Sequence, residues 1–239
     1  MQGLLRLLLL TTMGLASCNS PEKEPATTIQ KPEEQGKKDL AALQKEAKNG
    51  DLVVRLSDDI LSNQIRYLNE TDKSYSHCGL IVEQGGQKYI CHIAPEIVGA
   101  DTIQFEPIDS FLNPEKHVKA ALYRYNFVAS EIDSTIATIH SYRTAGISFD
   151  RLYDLATNNK MYCSEMISKA IKKGTNDKVS FKEVLIPKKL KKMVEGYFAK
   201  EKGSKKIVSE RVYIPIDGLY LIPQCRQIMA ITLKYFPGQ

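Results

Sequence analysis

The sequence predicts an α+β fold in which an antiparallel sheet or partial barrel packs against helices, and three observations carry that prediction. Residues 76–83 and 88–94 are two β-rich apolar runs separated by Gly85-Gly86, the pattern of a tight hairpin. Downstream of Cys163, Met166, Ile167, Ala170 and Ile171 recur at helical spacing, and Lys172-Lys173-Gly174 supplies a basic last turn and a glycine stop. The 239 residues, 43% hydrophobic and 26% charged, are enough to bury one sizeable core and show no internal repeat.

Taken in order, residues 1–17 hold one basic residue, Arg6, then an apolar run from Leu7 through Met13, then Leu15-Ala16-Ser17-Cys18. The segment is too short for an ordinary membrane span and has the layout of a secretory signal. Its end resembles a bacterial lipobox, which implies cleavage before Cys18 and lipidation of that sulfur. Residues 18–37 are rich in Pro, Glu, Lys, Gln and Thr and lack aromatic residues, so they read as a disordered tether. The folded domain is then expected over 38–239. Within it, 38–48 reads as a helix closed by Asn49-Gly50, 52–54 as a strand, and 57–68 as a capped helix. After the hairpin, strands are expected at 102–105 and 118–125, and a helix from Ser130, capped with Asp133, to about Gly146. A basic helix is expected after Pro187, and strands at 205–213 and 228–235.

The chain holds 33 basic and 28 acidic residues, a net charge of +5; loss of Arg6 with the leader leaves +4. That mild balance, with no binding motif in an exported chain, gives no expectation of nucleic acid as partner. Lys188, Lys189, Lys191 and Lys192 read as a solvated face.

Chemistry centres on Tyr162-Cys163-Ser164-Glu165. A cysteine in the first turn of a helix meets free backbone N–H groups and the positive end of the helix dipole, both of which favour thiolate. A two-residue turn at Gly85-Gly86 pairs residues whose numbers sum to 171, so His77 and His92 become diagonal neighbours on one face, roughly 7 Å apart at the backbone. Cys78 and Cys91 are then diagonal on the other face and are expected to stay reduced. If the Cys163 helix packs over the histidine face, its sulfur falls within about 4 Å of a nitrogen of His77. Cys163 would be nucleophile, His77 the base, and His92 the group that orients it. A zinc site from the same residues is weaker, as there is no Cys-x-x-Cys or His-x-x-x-His pair. The reading therefore calls for no metal and no cofactor. Tyr75 is a candidate for the substrate cleft; His117, His140 and Cys225 read as packing residues.

Gly50-Asp51-Leu52-Val53, Tyr75-Ser76-His77-Cys78-Gly79, Tyr89-Ile90-Cys91-His92 and Tyr162-Cys163-Ser164-Glu165 together resemble the YiiX/YebB group of circularly permuted papain-fold proteins, relatives of NlpC-type wall peptidases. The resemblance spans about residues 50–230. It implies a permuted papain-like (NlpC-type) fold, with Cys163 as nucleophile and His77 as base. Members often carry Glu at the third position, whereas His92-Ile93-Ala94-Pro95 looks like the lecithin:retinol acyltransferase branch. The expectation is a lipid-anchored cysteine hydrolase of the cell envelope, held to a membrane through Cys18, cleaving a peptidoglycan peptide or another amide. The alternatives are an acyltransferase or thioesterase acting on lipid, and a catalytically silent ligand-binding lipoprotein.

Overall fold

Six antiparallel strands form the sheet that carries the site in the computed structural model of the chain, which describes residues 32–95, 101–190, 192 and 211–234. The expected leader, Cys18, the tether up to residue 31 and most of the lysine-rich stretch after Pro187 lie outside the described residues. The chain runs α1 (Pro32–Glu46), β1 (Leu52–Ser57), α2 (Ile60–Ile65) with a following 3-10 turn Arg66–Leu68, then β2 (His77–Gln84) and β3 (Gln87–Ile93). β4 (Ile103–Pro107), α3 (Ile108–Phe111), β5 (His117–Tyr125) and α4 (Ala129–Thr144) follow. Two short strands, β6 (Ser148–Phe149) and β7 (Lys160–Met161), lead into α5 (Cys163–Gly174). After β8 (Val184–Leu185) come β9 (Val212–Tyr213), α6 (Asp217–Tyr220) and β10 (Cys225–Thr232). The sheet order is β10-β5-β1-β2-β3-β4.

Both faces of the sheet are covered, which is why its strands read as nearly continuous apolar runs. Val53, Ile81, Ile90 and Leu122 face α1 and α3, against Leu43 and Phe111. Val54, Cys78, Leu80, Cys91 and Ile93 face α5, whose Met166, Ile167, Ala170 and Ile171 are fully buried. At about 1.5–3 kcal/mol for each large apolar side chain buried, that stripe is what fixes α5 to the sheet.

The hairpin register agrees with the sequence arithmetic: Gln84 pairs with Gln87, and Leu80 with Cys91. Gly85 and Gly86 take φ values of 58° and 76°, the left-handed pair that a two-residue turn of this hand demands. One expectation is corrected. α5 covers the Cys78 and Cys91 face, because its apolar stripe needs an apolar partner, and the opposite face carries His77, His92 and Arg55 against Phe111.

Element boundaries moved for local reasons. α1 begins at Pro32, so residues 32–37 assigned to the tether are helical. α2 starts after Asp59, whose Oδ1 accepts the Ser62 N–H at 2.7 Å, rather than at Ser57. α4 is capped by Glu131, whose carboxylate accepts the Val128 N–H at 3.1 Å, in place of Ser130 and Asp133. β10 runs three residues earlier than expected and carries a bulge at Ile228 opposite β5. After Pro187 the described residues form a 3-10 turn, Lys188–Leu190, and apart from Lys192 the rest of the expected basic helix lies outside the described residues.

Two buried carboxylates set the frame. Asp51 receives Arg124 through Nε and Nη2, both at 2.7 Å, and caps the turn with the Lys48 N–H at 2.8 Å, which accounts for the Gly50-Asp51 pair. Asp217 accepts the N–H groups of Glu70, Thr71 and Asp72, and the Tyr220 hydroxyl donates to Asp72 at 2.7 Å. The 211–220 segment is thereby locked to the loop that enters β2.

Candidate active site

Cys163 is the first residue of α5, and the local sequence explains its exposure to chemistry. Glu165 accepts the Tyr162 N–H at 3.2 Å, closing the helix start and leaving the first-turn N–H groups free to face the sulfur. The flanking side chains are pinned to one residue: the Tyr162 hydroxyl accepts the Ile214 N–H at 2.8 Å, and the Ser164 hydroxyl donates to the Ile214 carbonyl at 2.7 Å. Cys163 thus lines a cleft of about 830 Å³, counted with its open side.

The thiol pKa is lowered. The Cys78 S–H hydrogen bond to the sulfur is the largest cause, and the backbone N–H groups of Ser164 and Cys163 add to it against the opposing effect of burial. Cys78 moves the other way, well above its ordinary value, because it is buried and stays protonated as the donor. Cys78 and Cys91 are free thiols, as expected.

His77 lines the same cleft as Cys163. No hydrogen bond joins the sulfur to either imidazole; the side chain bonded to the thiol is Cys78. The two histidines do meet. His77 Nε2 lies 3.0 Å from His92 Nδ1, with the rings edge to face at 5.1 Å, and His92 Nε2 lies 3.1 Å from Glu106 Oε2.

Glu106 was missed by the sequence reading. It lies on β4, in a strand expected to end at Phe105, and reaches the relay because Glu106 pairs with Ile90 and Gln104 with His92. The hydrogen bond from His92 holds its carboxyl below the usual range. A carboxylate can only accept, so His92 Nε2 carries a hydrogen and His92 Nδ1 is bare. His77 Nε2 must then donate to it, which leaves His77 Nδ1 as a free lone pair. The relay fixes the tautomer that a proton acceptor needs.

Both imidazoles are held neutral. Burial lowers the His77 pKa well below its usual value, with Arg55, His92 and His117 adding repulsion, and burial likewise lowers His92 against the pull of Glu106. The thiolate is therefore favoured by hydrogen bonds rather than by an imidazolium beside it.

The remaining candidates separate clearly. Tyr75 is buried in the core, edge-on to Tyr220 at 6.2 Å, and does not line the cleft. His117 lies behind the site, bonded to Ser57 Oγ and Arg55 Nη1, each at 3.0 Å. His140 stacks on Phe105 at the surface, and Cys225 is half-buried at the start of β10. Arg55, like Glu106, carried no sequence signal: a lone arginine ending an apolar run resembles a strand end.

Among solved structures, metalloprotein yiiX from Escherichia coli O157:H7 matches with a TM-score of 0.62 at 18% identity, over 77% of this chain and 97% of that one, a likeness of fold. No curated protein matches. Among the described residues here, no three potential ligands gather around one point. His77, His92 and Glu106 are strung in line and bond to one another, so they do not fit a shared metal. The profile of the permuted papain-like amidases, YaeF/YiiX, C92 family, matches residues 46–213, well over half of the 239, and spans the cysteine, both histidines and Glu106. The α+β architecture, the histidines placed before the cysteine, and that match together establish that the chain belongs to the YaeF/YiiX family of permuted papain-like amidases.

Proposed function

We propose that the protein is a cysteine amidase or peptidase in which Cys163 is the nucleophile, His77 the general base and His92 the positioning residue. The observation that carries this reading is the pairing, in one cleft, of a helix-start thiol of lowered pKa with a histidine whose tautomer is set by a relay ending in Glu106. Cys163 sulfur attacks the amide carbonyl, and the backbone N–H of Cys163 donates to the developing oxyanion. His77 Nδ1 carries the thiol proton to the leaving amine, then takes a proton from the water that releases the acyl group. Substrate entry draws the sulfur and His77 into contact, since such pairs are looser without substrate.

The family supports amide hydrolysis, and the signal-like layout of residues 1–17 with its lipobox-like ending at Cys18 supports an envelope amide such as a peptidoglycan stem peptide. Acyl substrates are the second reading, favoured by the apolar wall of Leu61, Ile65, Leu68 and Phe149. Incubating wall fragments and lipid extracts with wild type and Cys163→Ala, followed by mass spectrometry, tests both. New amines or acids formed only by wild type are expected; identical spectra for the two proteins would exclude thiol catalysis. Cys18→Ser should move the protein from the membrane to the soluble fraction, and an unchanged distribution would reject the anchor.

A further inference from the structure

The cleft contains a cation, Arg55, that forms no ion pair with a carboxylate among the described residues. Arg55 on β1 stands directly opposite His77 on β2, with its guanidinium carbon 3.9 Å above the Phe111 ring. Nη1 donates to the Phe111 carbonyl and meets His117 Nε2 at 3.0 Å, and burial keeps His117 neutral by pushing its pKa down to about 3. The other edge of the fork is unmet among the described residues: Nε is buried without an acceptor, and Nη2 makes no hydrogen bond to them.

Among the described residues, no carboxylate lies within ion-pair distance of Arg55. Its acidic neighbours have other bonds, Asp59 to the start of α2 and Glu106 to His92. Burial lowers the guanidinium pKa to about 10, outweighing the opposing pull of the charges on Glu106, Asp59 and Cys163, none of which is hydrogen-bonded to it. A guanidinium fork offers planar donors matched to a carboxylate, at about 2.7–2.9 Å. Arg55 lines the cleft together with Cys163, His77 and the apolar residues Leu61, Ile65 and Leu68.

We propose that Arg55 anchors a carboxylate-binding subsite beside the Cys163 thiol, so that the amide cleaved carries a free carboxylate at one end and an apolar portion against Leu61, Ile65 and Leu68. The class comprises N-acyl amino acids and the carboxyl ends of peptides. This inference deepens the amidase reading and rests on it. A neutral isostere leaves the guanidinium edge unpaired, and sites that reject a missing hydrogen-bond partner discriminate strongly for that reason.

The test measures binding in Cys163→Ala, which removes chemistry from the readout. Octanoylglycine, acetyl-alanyl-alanine and the carboxamide of each are titrated by calorimetry. At least one acid should bind tenfold or more tightly than its carboxamide, and the octanoyl and acetyl pairs distinguish a lipid-like from a peptide source. In Cys163→Ala/Arg55→Gln the preference for acid should vanish, while Arg55→Lys should retain part of it. The comparison of acid with carboxamide needs no Arg55 variant, so misfolding of one does not blunt it. Equal binding of acid and carboxamide, no binding of any of the four, or a preference that survives in Arg55→Gln overturns the subsite. Turnover by wild type but not Cys163→Ala in the separate hydrolysis assay would then leave the amidase reading standing alone.

Discussion

At the scale of the residue, the site depends on who donates to whom. Glu106 can only accept, and that single fact propagates through His92 to leave His77 Nδ1 bare. Glu106→Gln keeps the size of the side chain but removes the charge that faces His92. We expect kcat to fall roughly 10- to 100-fold, a part of the 10²–10⁴ that proton transfer contributes, with KM unchanged and partial recovery in Glu106→Asp. Steady-state kinetics on the amide found by mass spectrometry check this, and an unchanged kcat would remove Glu106 from the relay. The sequence made His77, His92 and Cys163 legible because hairpin parity and helix periodicity are local rules. Glu106 and Arg55 were not, since each enters through pairing with a neighbouring strand, which no local spacing records.

At the scale of the element, packing of α4 against α5 decides how firmly the nucleophile helix is held. Gly174 closes α5 directly against α4, where an added Cβ would be driven into Thr135, only 2.6 Å from its backbone N. Gly174→Ala should therefore destabilise the fold by about 1–3 kcal/mol, the usual cost of overpacking. Urea unfolding measures it, and a midpoint equal to wild type would show that the helices separate freely. Among the described residues, elements with a period were read correctly in type, the hairpin even in register. The two-residue strands β6, β7, β8 and the one-turn helices α3 and α6 were not, because two to four residues hold no period. Which face α5 covers was also misjudged. Alternation showed that His77 and Cys78 point apart, but the deciding contact is between distant segments: the apolar stripe of α5 required the face of Cys78, Leu80 and Cys91.

At the scale of the whole molecule, neutral histidines make stability depend on pH. His77, His92 and His117 all have lowered pKa values in the folded protein, so below the ordinary histidine pKa of about 6.5 the unfolded chain binds protons that the folded chain refuses. Glu165 opposes them: burial outweighs Lys169, 2.8 Å away, and raises its pKa to about 7, so the folded chain holds a proton that the unfolded one releases down to about pH 4.5. Three against one leaves at most two net protons. Stability should fall as pH drops from about 6.5 to 5.5, above the range where carboxylates titrate in the unfolded chain, by no more than about 2.7 kcal/mol per pH unit. Urea midpoints across that range test this, and a midpoint that rises on acidification would contradict it. The clasp between Asp217 and the loop at Glu70, Thr71 and Asp72 has a consequence in time. Every group proposed for chemistry has been synthesised by residue 163, yet Tyr213 and Ile214, which wall the cleft, and the carboxylate that fastens the approach to His77 come some fifty residues later. A nascent chain can thus carry thiol, histidines and carboxylate without an assembled cleft, and reactivity begins only when its last segment folds back onto the first.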